Sequence, residues 1–325
     1  MLTYNYSRDM KGLTDIPGLR VGHVSDYDAL TGCTVVLCEG GAVGGVDIRG
    51  SATGTEEIGV FDPGHVTSHV HGIVLAGGSA FGLEAASGVR RYLEGRGVGY
   101  ATAAATVPIV AAAILYDLAI GKSDARPTAA MGEAAAAAAT GGAVGEGCVG
   151  AGTGATVGKA LGIAQAMKSG VGSFTVALPG GVLVSALAAV NAYGDVRDPR
   201  SGAILAGARR TAESLEFADT NEVIKNRGAG AGLGGANTTL VVVATNAQLG
   251  KVQAGKRAQF GSQGVVRTIS PIHTTFDGDV TFALSLGSMQ ADVNALGIAA
   301  AEAVAESVLR AVRLAKPMGG LPGLG

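Results

Sequence analysis

Two adjacent threonines, Thr238 and Thr239, stand between a glycine-rich approach and an apolar run in the stretch GANTTLVVVATN at residues 235–246. A threonine hydroxyl is a weak nucleophile unless a nearby base removes its proton. One such base is the threonine's own α-amino group, which becomes available when the chain is cut just before it and whose ordinary pKa of about 7.7–8.0 suits neutral pH. The pattern therefore predicts self-cleavage between Asn237 and Thr238, after which Thr238 is the nucleophile.

Short buried strands and intervening helices must position this threonine. Apolar, β-branched runs bounded by glycine predict strands, and helical spacing of apolar residues predicts helices, the last of them with Asp292 as a possible N-cap. The mixture of the two along the whole chain favours a layered α/β fold. The predicted strands are 34–39, 72–76, 173–178, 182–190 and 240–245, and the predicted helices are 81–94, 251–263 and 292–314.

One segment differs from the rest of the chain. Residues 209–237 gather charged residues first and glycines afterwards. This composition predicts an exposed, mobile connection, and connections of this length inside a compact domain usually have a function. The segment ends at the predicted cleavage site.

The composition excludes several classes of protein. Hydrophobic residues make up 47% of the 325 residues and charged residues 15%, so the chain can bury a large core. A net charge of −2 argues against nucleic acid as a partner. The absence of a CxxC spacing among Cys33, Cys38 and Cys148 fits free thiols. With neither an apolar signal-peptide core nor a long apolar run, we expect a cytoplasmic protein without a membrane span.

Motifs for nucleotides are present only in incomplete form. Because the chain has 54 glycines, the G-x-G-x-x-G matches at residues 145–150 and 230–235 are expected by chance. The stretch TGATVGKA at residues 153–160 resembles a phosphate-binding loop, but Thr153 replaces its first glycine and Ala160 its magnesium-binding hydroxyl. A nucleotide-binding protein therefore remains the weakest of the alternatives.

Three closely spaced histidines raise the question of a zinc site. Zinc needs ligands that converge, usually with a carboxylate or a cysteine close by, and the sequence around His65, His69 and His71 offers no such pattern. Capping or solvated roles at the start of a strand explain these residues equally well. We therefore expect neither a metal nor a cofactor.

Seven segments spread over nearly the whole chain match one known family: IPGLRVGHVSD (16–26), TGCTVVLCEGGAVGGVDIRG (31–50), LAGGSAFGLEAASGV (75–89), ILYDL (114–118), VNAYGDV (190–196), GANTTLVVVATNA (235–247) and PIHTTFDGDVTFAL (271–284). In these segments the chain resembles the N-terminal-nucleophile hydrolase family that comprises DmpA-type L-aminopeptidase/D-esterases, β-peptidyl aminopeptidases and NylC-type nylon-oligomer hydrolases. The aminopeptidase branch has serine at the nucleophile position, whereas this chain shares threonine with the NylC-type branch.

The resemblance implies a fold, a maturation step and an assembly. The fold would be a single-domain, four-layer α-β-β-α sandwich with two sheets between helices. The precursor would cut itself once, giving a 1–237 α-chain and a 238–325 β-chain that stay together. The assembly would be a homo-oligomer, often a tetramer.

The resemblance also assigns roles to single residues. Asp277 and Asp279 would lie beside the nucleophile, although an Asp-Gly turn would explain the same motif, FDGD. Asn191 and Tyr116 would stabilise the oxyanion, and Lys159 would match the lysine of the nylon-oligomer branch. A core tyrosine and a surface lysine are the ordinary alternatives for the last two residues.

The function expected from these residues is amide hydrolysis through an acyl-enzyme, on short peptides or on oligoamides like those of 6-aminohexanoate. Two alternatives stay open. One is a DmpA-type aminopeptidase or amidase that releases N-terminal residues. The other is a non-catalytic binding protein that keeps the fold, which the intact Asn237–Thr238 pair and both aspartates argue against.

Overall fold

The computed structural model describes residues 10–226 and 237–325. Within them lie the following strands: β1 (Arg20–Asp26), β2 (Thr31–Ile48), β3 (Thr55–Glu56), β4 (His69–Ala76), β5 (Tyr100–Ala101), β6 (Thr106–Val107), β7 (Val110–Ile114), β8 (Thr156–Val157), β9 (Met167–Lys168), β10 (Val171–Leu178), β11 (Val182–Asn191), β12 (Asp195–Arg197), β13 (Ile204–Ala206), β14 (Thr238–Ala247), β15 (Ile269–Ser270) and β16 (Val280–Met289). The α-helices are α1 (Ala85–Glu94), α2 (Ala129–Ala137), α3 (Thr220–Lys225), α4 (Lys251–Thr268) and α5 (Val293–Arg313).

The main sheet has the strand order β10-β11-β14-β16-β2-β4-β7-β3, and β1 pairs with β2 beside this path. The 18-residue strand β2 belongs to both halves of the sheet, since its first part pairs with β1 and β4 and its last part pairs with β16. A register shift lies between Leu37 and Ala42, in the middle of β2. The sheet folds back on itself across this strand, so that its two halves face each other.

Apolar clusters fill the spaces between the layers. The halves of the sheet meet through Val36 and Ile73 on one side and Val242 and Phe282 on the other. Helices α4 and α5 cover the outer face of the β10-β11-β14 half, and helices α1 and α2 cover the outer face of the β4-β7 half. The predicted four-layer α-β-β-α arrangement is confirmed, with the addition that β2 joins the two predicted sheets into one hydrogen-bonded sheet.

Strand β14 is buried on both faces because it lies near the middle of this sandwich. Leu240 and Val242 point into the space between the two halves of the sheet, whereas Val241 and Val243 point towards α4 and α5. This alternation is the period of two expected of a strand, and burial on both faces explains why the sequence is an unbroken apolar run. The candidate nucleophile, Thr238, is the first residue of the strand.

The expectation of an exposed connection at residues 209–237 holds for most of residues 210–216, which are exposed, but not for the residues on either side of them. Arg209 is buried, and its guanidinium group donates to the carbonyl oxygens of Ala166 and Ala164 at 3.3 and 2.7 Å. Residues Thr220–Lys225 form α3, whose N-cap is Asp219. The glycine-rich remainder, residues 227–236, lies outside the described residues, as does the second G-x-G-x-x-G match.

Among the described residues, no helix has both the length and the apolar character that a membrane span requires.

Candidate active site

The peptide that joins Asn237 to Thr238 is buried at the start of β14, and both residues are only 2% exposed. The Asn237 N–H group donates to the carbonyl oxygen of Phe276 at 2.9 Å. The Asn237 carbonyl oxygen accepts two short hydrogen bonds, from the Gly278 N–H group at 2.6 Å and from the Thr238 hydroxyl at 2.6 Å. The Gly278 N–H group polarises this carbonyl, and the second contact places the Thr238 hydroxyl against the carbonyl group that it would attack.

The hydroxyl of Thr239 has different surroundings. Successive side chains of a strand point to opposite faces, so Thr239 cannot share the position of Thr238. Within the described residues the Thr239 hydroxyl has no hydrogen-bond partner, and its backbone N–H group donates to Asp279. The contact with the Asn237 carbonyl oxygen therefore favours Thr238, not Thr239, as the nucleophile.

Gly278 separates the two aspartates and lies against the Thr238 hydroxyl. A β-carbon at this position would lie 2.9 Å from Thr238 Oγ1 and 2.6 Å from the carbonyl oxygen of Ala52. Carbon atoms do not approach other atoms so closely without displacing them. The glycine of the Asp-Gly-Asp motif is therefore required by the limited space beside the Thr238 hydroxyl.

The two aspartates flank the start of β14 and hold different groups. Asp277 accepts hydrogen bonds from the Thr274 hydroxyl and N–H group and, at 3.3 Å, from the Tyr193 N–H group. Asp279 accepts one from the Thr239 N–H group at 2.6 Å. Burial raises the pKa of Asp277, and the neighbouring Asp279 carboxylate raises it further. Asp279 thus holds the backbone directly after the candidate nucleophile, whereas Asp277 is the carboxylate that gains a proton more easily than usual.

Lys159 follows β8 and extends towards the end of β11. Its side-chain nitrogen donates to the backbone oxygen of Asn191 at 2.9 Å and to the side-chain oxygen at 2.8 Å. Asn191 is the residue that pairs with Thr238 across β11 and β14. Burial lowers the pKa of Lys159 to about 7, an effect that the carboxylate of Asp277 partly offsets. Lys159 is therefore a partly buried amine bonded to the strand partner of the candidate nucleophile, not the solvated surface lysine of the alternative interpretation.

A glycine with left-handed backbone makes this position of Lys159 possible. Gly158 has φ +72°, and a β-carbon on it would lie 2.0 Å from the backbone nitrogen of Ala208. The N–H groups of Gly158 and Lys159 donate to the carbonyl oxygens of Gly194 and Tyr193, each at 3.0 Å. These two bonds fix the loop against the residues that follow β11.

Tyr116 follows β7 and meets Asn191 through its backbone. The side-chain nitrogen of Asn191 donates to the Tyr116 carbonyl oxygen at 2.8 Å, while its side-chain oxygen accepts from Lys159 and, at 3.0 Å, from the Thr156 N–H group. These partners fix the orientation of the Asn191 amide. The structure brings Tyr116 to the site, and a donor role for its phenol stays a prediction.

Two further buried charged residues, Lys168 and Asp117, support the loops that carry Lys159 and Tyr116. Lys168 donates to the carbonyl oxygens of Thr153 and Ala155 at 2.9 and 2.6 Å, and burial lowers its pKa to about 8. Asp117 accepts from the Thr31 hydroxyl and from the Gly78 N–H group, each at 2.7 Å. In the sequence, the only indication that these two residues belong near the site was that Asp117 directly follows Tyr116.

His273 is the residue beside the site that the sequence reasoning missed, because no histidine stood in a persuasive triad pattern. Its ring nitrogen Nδ1 lies 2.8 Å from Asp279 Oδ2. The signal available was its place in PIHTTFDGD, six residues before Asp279.

The rings of the three clustered histidines each bind a different partner. His65 accepts from the Thr67 N–H group, His69 contacts the Ser68 hydroxyl, and His71 accepts from the Ile109 N–H group. Among the residues that the structure describes, no group of three His, Cys, Asp or Glu side chains is arranged to hold a metal ion.

Comparison with known proteins extends over nearly the whole chain. The model of peptidase family S58 matches residues 11–324. An uncharacterised aminopeptidase of Mycobacterium bovis is 40% identical over 342 residues, with 96% of each chain covered. A 6-aminohexanoate-oligomer endohydrolase of a Kocuria species is 31% identical over 315 residues, which cover 92% of this chain and 85% of that enzyme.

Two solved structures share the fold. The L-aminopeptidase D-Ala-esterase/amidase of Ochrobactrum anthropi, described as a variant of the Ntn hydrolase fold, superposes with a TM-score of 0.72 at 20% identity and covers 96% of this chain and 88% of its own. The β-aminopeptidase of a Burkholderia species superposes with a TM-score of 0.68 at 23% identity, covering 99% and 94%. With a family match from residue 11 to residue 324 and relatives at 31–40% identity, the chain belongs to peptidase family S58.

Proposed function

We propose that this hydrolase matures by cutting itself between Asn237 and Thr238 and then uses Thr238 to cleave amide bonds in short peptides or in oligoamides of the 6-aminohexanoate type. Membership of the peptidase family makes the chain an enzyme that hydrolyses peptide or amide bonds. The observation that carries the proposal is the Asn237 carbonyl oxygen, which lies 2.6 Å from both the Thr238 hydroxyl and the Gly278 nitrogen.

Self-cleavage would begin with attack of Thr238 Oγ1 on the carbonyl carbon of Asn237. The bond between the two forms as the hydroxyl proton leaves, and the Gly278 N–H group stabilises the negative charge that develops on the carbonyl oxygen. Breaking the C–N bond delivers a proton to the nitrogen and leaves an ester between Asn237 and Thr238. Water hydrolyses this ester, which gives a carboxylate on Asn237 and frees the hydroxyl of Thr238, whose α-amine was already free after the C–N bond broke.

Lys159 is the group that we assign to receive the hydroxyl proton in the first step. A neutral lysine amine keeps two N–H donors for the oxygens of Asn191 and one lone pair for a proton. A pKa of about 7 means that a large fraction of Lys159 is neutral at physiological pH. Once the chain is cut, the new α-amine of Thr238 takes over as the base.

Hydrolysis of a substrate would repeat the same chemistry in trans. Thr238 attacks the substrate carbonyl, the amine product leaves with a proton, and water hydrolyses the acyl-enzyme. In this step the Asn191 amide and the Tyr116 hydroxyl are assigned to the oxyanion.

Intact mass spectrometry tests the maturation step. Freshly purified wild-type protein is expected to give two species, residues 1–237 and 238–325, whereas Thr238→Ala is expected to stay whole and to hydrolyse no amide. A Thr238→Ala variant that is cut or active would reject Thr238 as the nucleophile. The matched control is Thr239→Ala, which keeps the nucleophile and is expected to be cut.

A second candidate function is that of an aminopeptidase. It is favoured by the mycobacterial relative, which is named an aminopeptidase and is more similar, at 40% identity, than the endohydrolase at 31%. An aminopeptidase requires the free ammonium group of its substrate, whereas an endohydrolase does not. Hydrolysis of an N-acetylated 6-aminohexanoate oligomer supports the endohydrolase, and hydrolysis of the free-amine substrate alone supports the aminopeptidase.

The proposal includes association of the cut chains and assembly into a homo-oligomer, with a tetramer as the expected state. Val252 of α4 and Ile298 of α5 are exposed apolar side chains, which suit a contact between copies of the chain. Light scattering after size-exclusion chromatography measures the assembly, and a monomer at micromolar concentration would reject this part.

A further inference from the structure

His273 lies in the loop between β15 and β16, where it makes two contacts with one carboxylate oxygen. Its backbone N–H group donates to Asp279 Oδ2 at 3.2 Å, and its ring nitrogen Nδ1 lies 2.8 Å from the same oxygen. A hydrogen on Nδ1 would make the ring a second donor to this carboxylate oxygen. Asp279 is 3% exposed and therefore has little water to replace these donors.

The backbone of His273 has an unusual conformation. It has φ +57°, a left-handed conformation that residues other than glycine seldom adopt, although asparagine, aspartate and histidine adopt it more often than most. Backbone strain of this kind persists only where the surrounding structure enforces it, and it is concentrated at functional sites. At His273 the strained turn directs both the N–H group and the ring to Asp279.

The other oxygen of Asp279 leads to the nucleophile. Asp279 Oδ1 accepts the Thr239 N–H group at 2.6 Å, so the carboxylate connects the His273 ring with the peptide directly after Thr238. A carboxylate engaged through both oxygens cannot rotate, and it fixes the direction of the backbone on which the nucleophile is mounted. Without the ring, one oxygen would keep only the long bond from the His273 backbone.

We infer that His273 is a positioning residue for Thr238, acting through Asp279 and the Thr239 N–H group. This inference rests on the proposed function of Thr238. It is distinct from a role in closing the loop, since a residue that only shapes the turn affects stability and not the orientation of the hydroxyl. A positioning role affects the rates of self-cleavage and turnover even when the fold is unchanged.

Two substitutions at the same position separate these roles. Asparagine accepts a left-handed backbone and places an N–H donor at about the distance of the imidazole Nδ1, whereas alanine offers no donor. His273→Ala is expected to slow self-cleavage and to lower kcat on the order of 10–100-fold, the loss typical of partners that orient a catalytic group, with little change in KM. His273→Asn is expected to recover most of both rates.

The measurements are the fraction of uncut chain over time by intact mass, kcat and KM on a 6-aminohexanoate oligomer or a peptide amide, and Tm. His71→Ala is the matched control, because it removes a buried ring that is also bonded through Nδ1 but lies at the start of β4. The inference is overturned if His273→Ala keeps the wild-type rates, or if the alanine and asparagine variants lose activity equally. A wild-type chain that is never cut would instead reject the proposed function.

Discussion

The side-chain nitrogen of Lys159 donates to both oxygens of Asn191, 2.9 Å from the carbonyl oxygen and 2.8 Å from the side-chain oxygen. Asn191 pairs with Thr238, so this contact brings a partly buried amine to the neighbour of the candidate nucleophile. Burial disfavours the charged form and lowers the pKa of Lys159 to about 7. The same geometry that holds the lysine thus prepares it to exchange a proton near neutral pH.

Replacement of Lys159 by arginine tests this relationship. Arginine keeps the positive charge and the donors but stays protonated, so it cannot accept the hydroxyl proton. We expect Lys159→Arg to slow self-cleavage on the order of 10²–10⁴-fold, the usual contribution of a general base. In the wild-type chain the cleavage rate should rise with pH through a midpoint of about 7, because the neutral amine is the active form. A flat profile combined with an unimpaired arginine variant would remove Lys159 from the proton transfer.

Gly278 gives a prediction about space beside the nucleophile. The β-carbon of Gly278→Ala would lie 2.9 Å from Thr238 Oγ1 and 2.6 Å from the Ala52 carbonyl oxygen, so the hydroxyl or the Asn237 carbonyl must shift. We expect self-cleavage to slow on the order of 10²–10³-fold, as when an oxyanion donor is lost. Gly255→Ala is the control, because a β-carbon there meets no atom within 4 Å. Intact mass over time measures both variants, and equal rates would contradict the requirement for free space beside the Thr238 hydroxyl.

The sequence was sufficient to predict the central part of β14, residues 240–245, and the structure extends this strand to Thr238–Ala247. An unbroken apolar run is what a strand buried on both faces requires, and a threonine after a glycine-rich sequence suits a self-cleaving peptide. Strand β16 was not predicted from its pattern because buried polar residues interrupt it. Thr281 contacts the Ser262 hydroxyl, and Ser285 donates to the Ala247 carbonyl oxygen.

The contacts around Thr238 could not be predicted from local pattern because they depend on register between distant strands. Leu240 pairs with Val280 in the parallel pair β14–β16, and this register places Asp279 opposite the Thr239 N–H group. Packing of the whole sandwich sets such a register. The resemblance to the family identified Asp277 and Asp279 as residues beside the nucleophile, but it gave no separate roles for them. His273 was missed because its importance lies in one bond across the turn.

Asp277 gives a prediction about stability and pH. Burial and the Asp279 charge raise the pKa of Asp277 above its ordinary value of 3.8, so the folded chain binds a proton more tightly than the unfolded chain. The stabilisation that proton binding at Asp277 adds to the free energy of unfolding is therefore fully present below about pH 3.8. It is lost as the pH rises through the raised pKa. Asparagine does not titrate, so Asp277→Asn has no such loss. The Tm of this variant minus the Tm of its parent should therefore increase from acid to neutral pH. Melting curves in a Thr238→Ala background keep both chains uncut, and a constant difference in Tm would reject the assignment.

Tyr116 allows its backbone and its phenol to be tested separately. The Tyr116 carbonyl oxygen accepts the Asn191 side-chain nitrogen at 2.8 Å, and Tyr116→Phe leaves that bond in place. If the phenol stabilises the oxyanion of the substrate, Tyr116→Phe should lower kcat on the order of 10²–10³-fold. Self-cleavage should be nearly unaffected, because the Gly278 N–H group already serves the Asn237 carbonyl oxygen. Rates of maturation and turnover are measured on the same preparation. If both rates stay at the wild-type level, Tyr116 contributes to the site through its backbone alone, by holding the Asn191 amide.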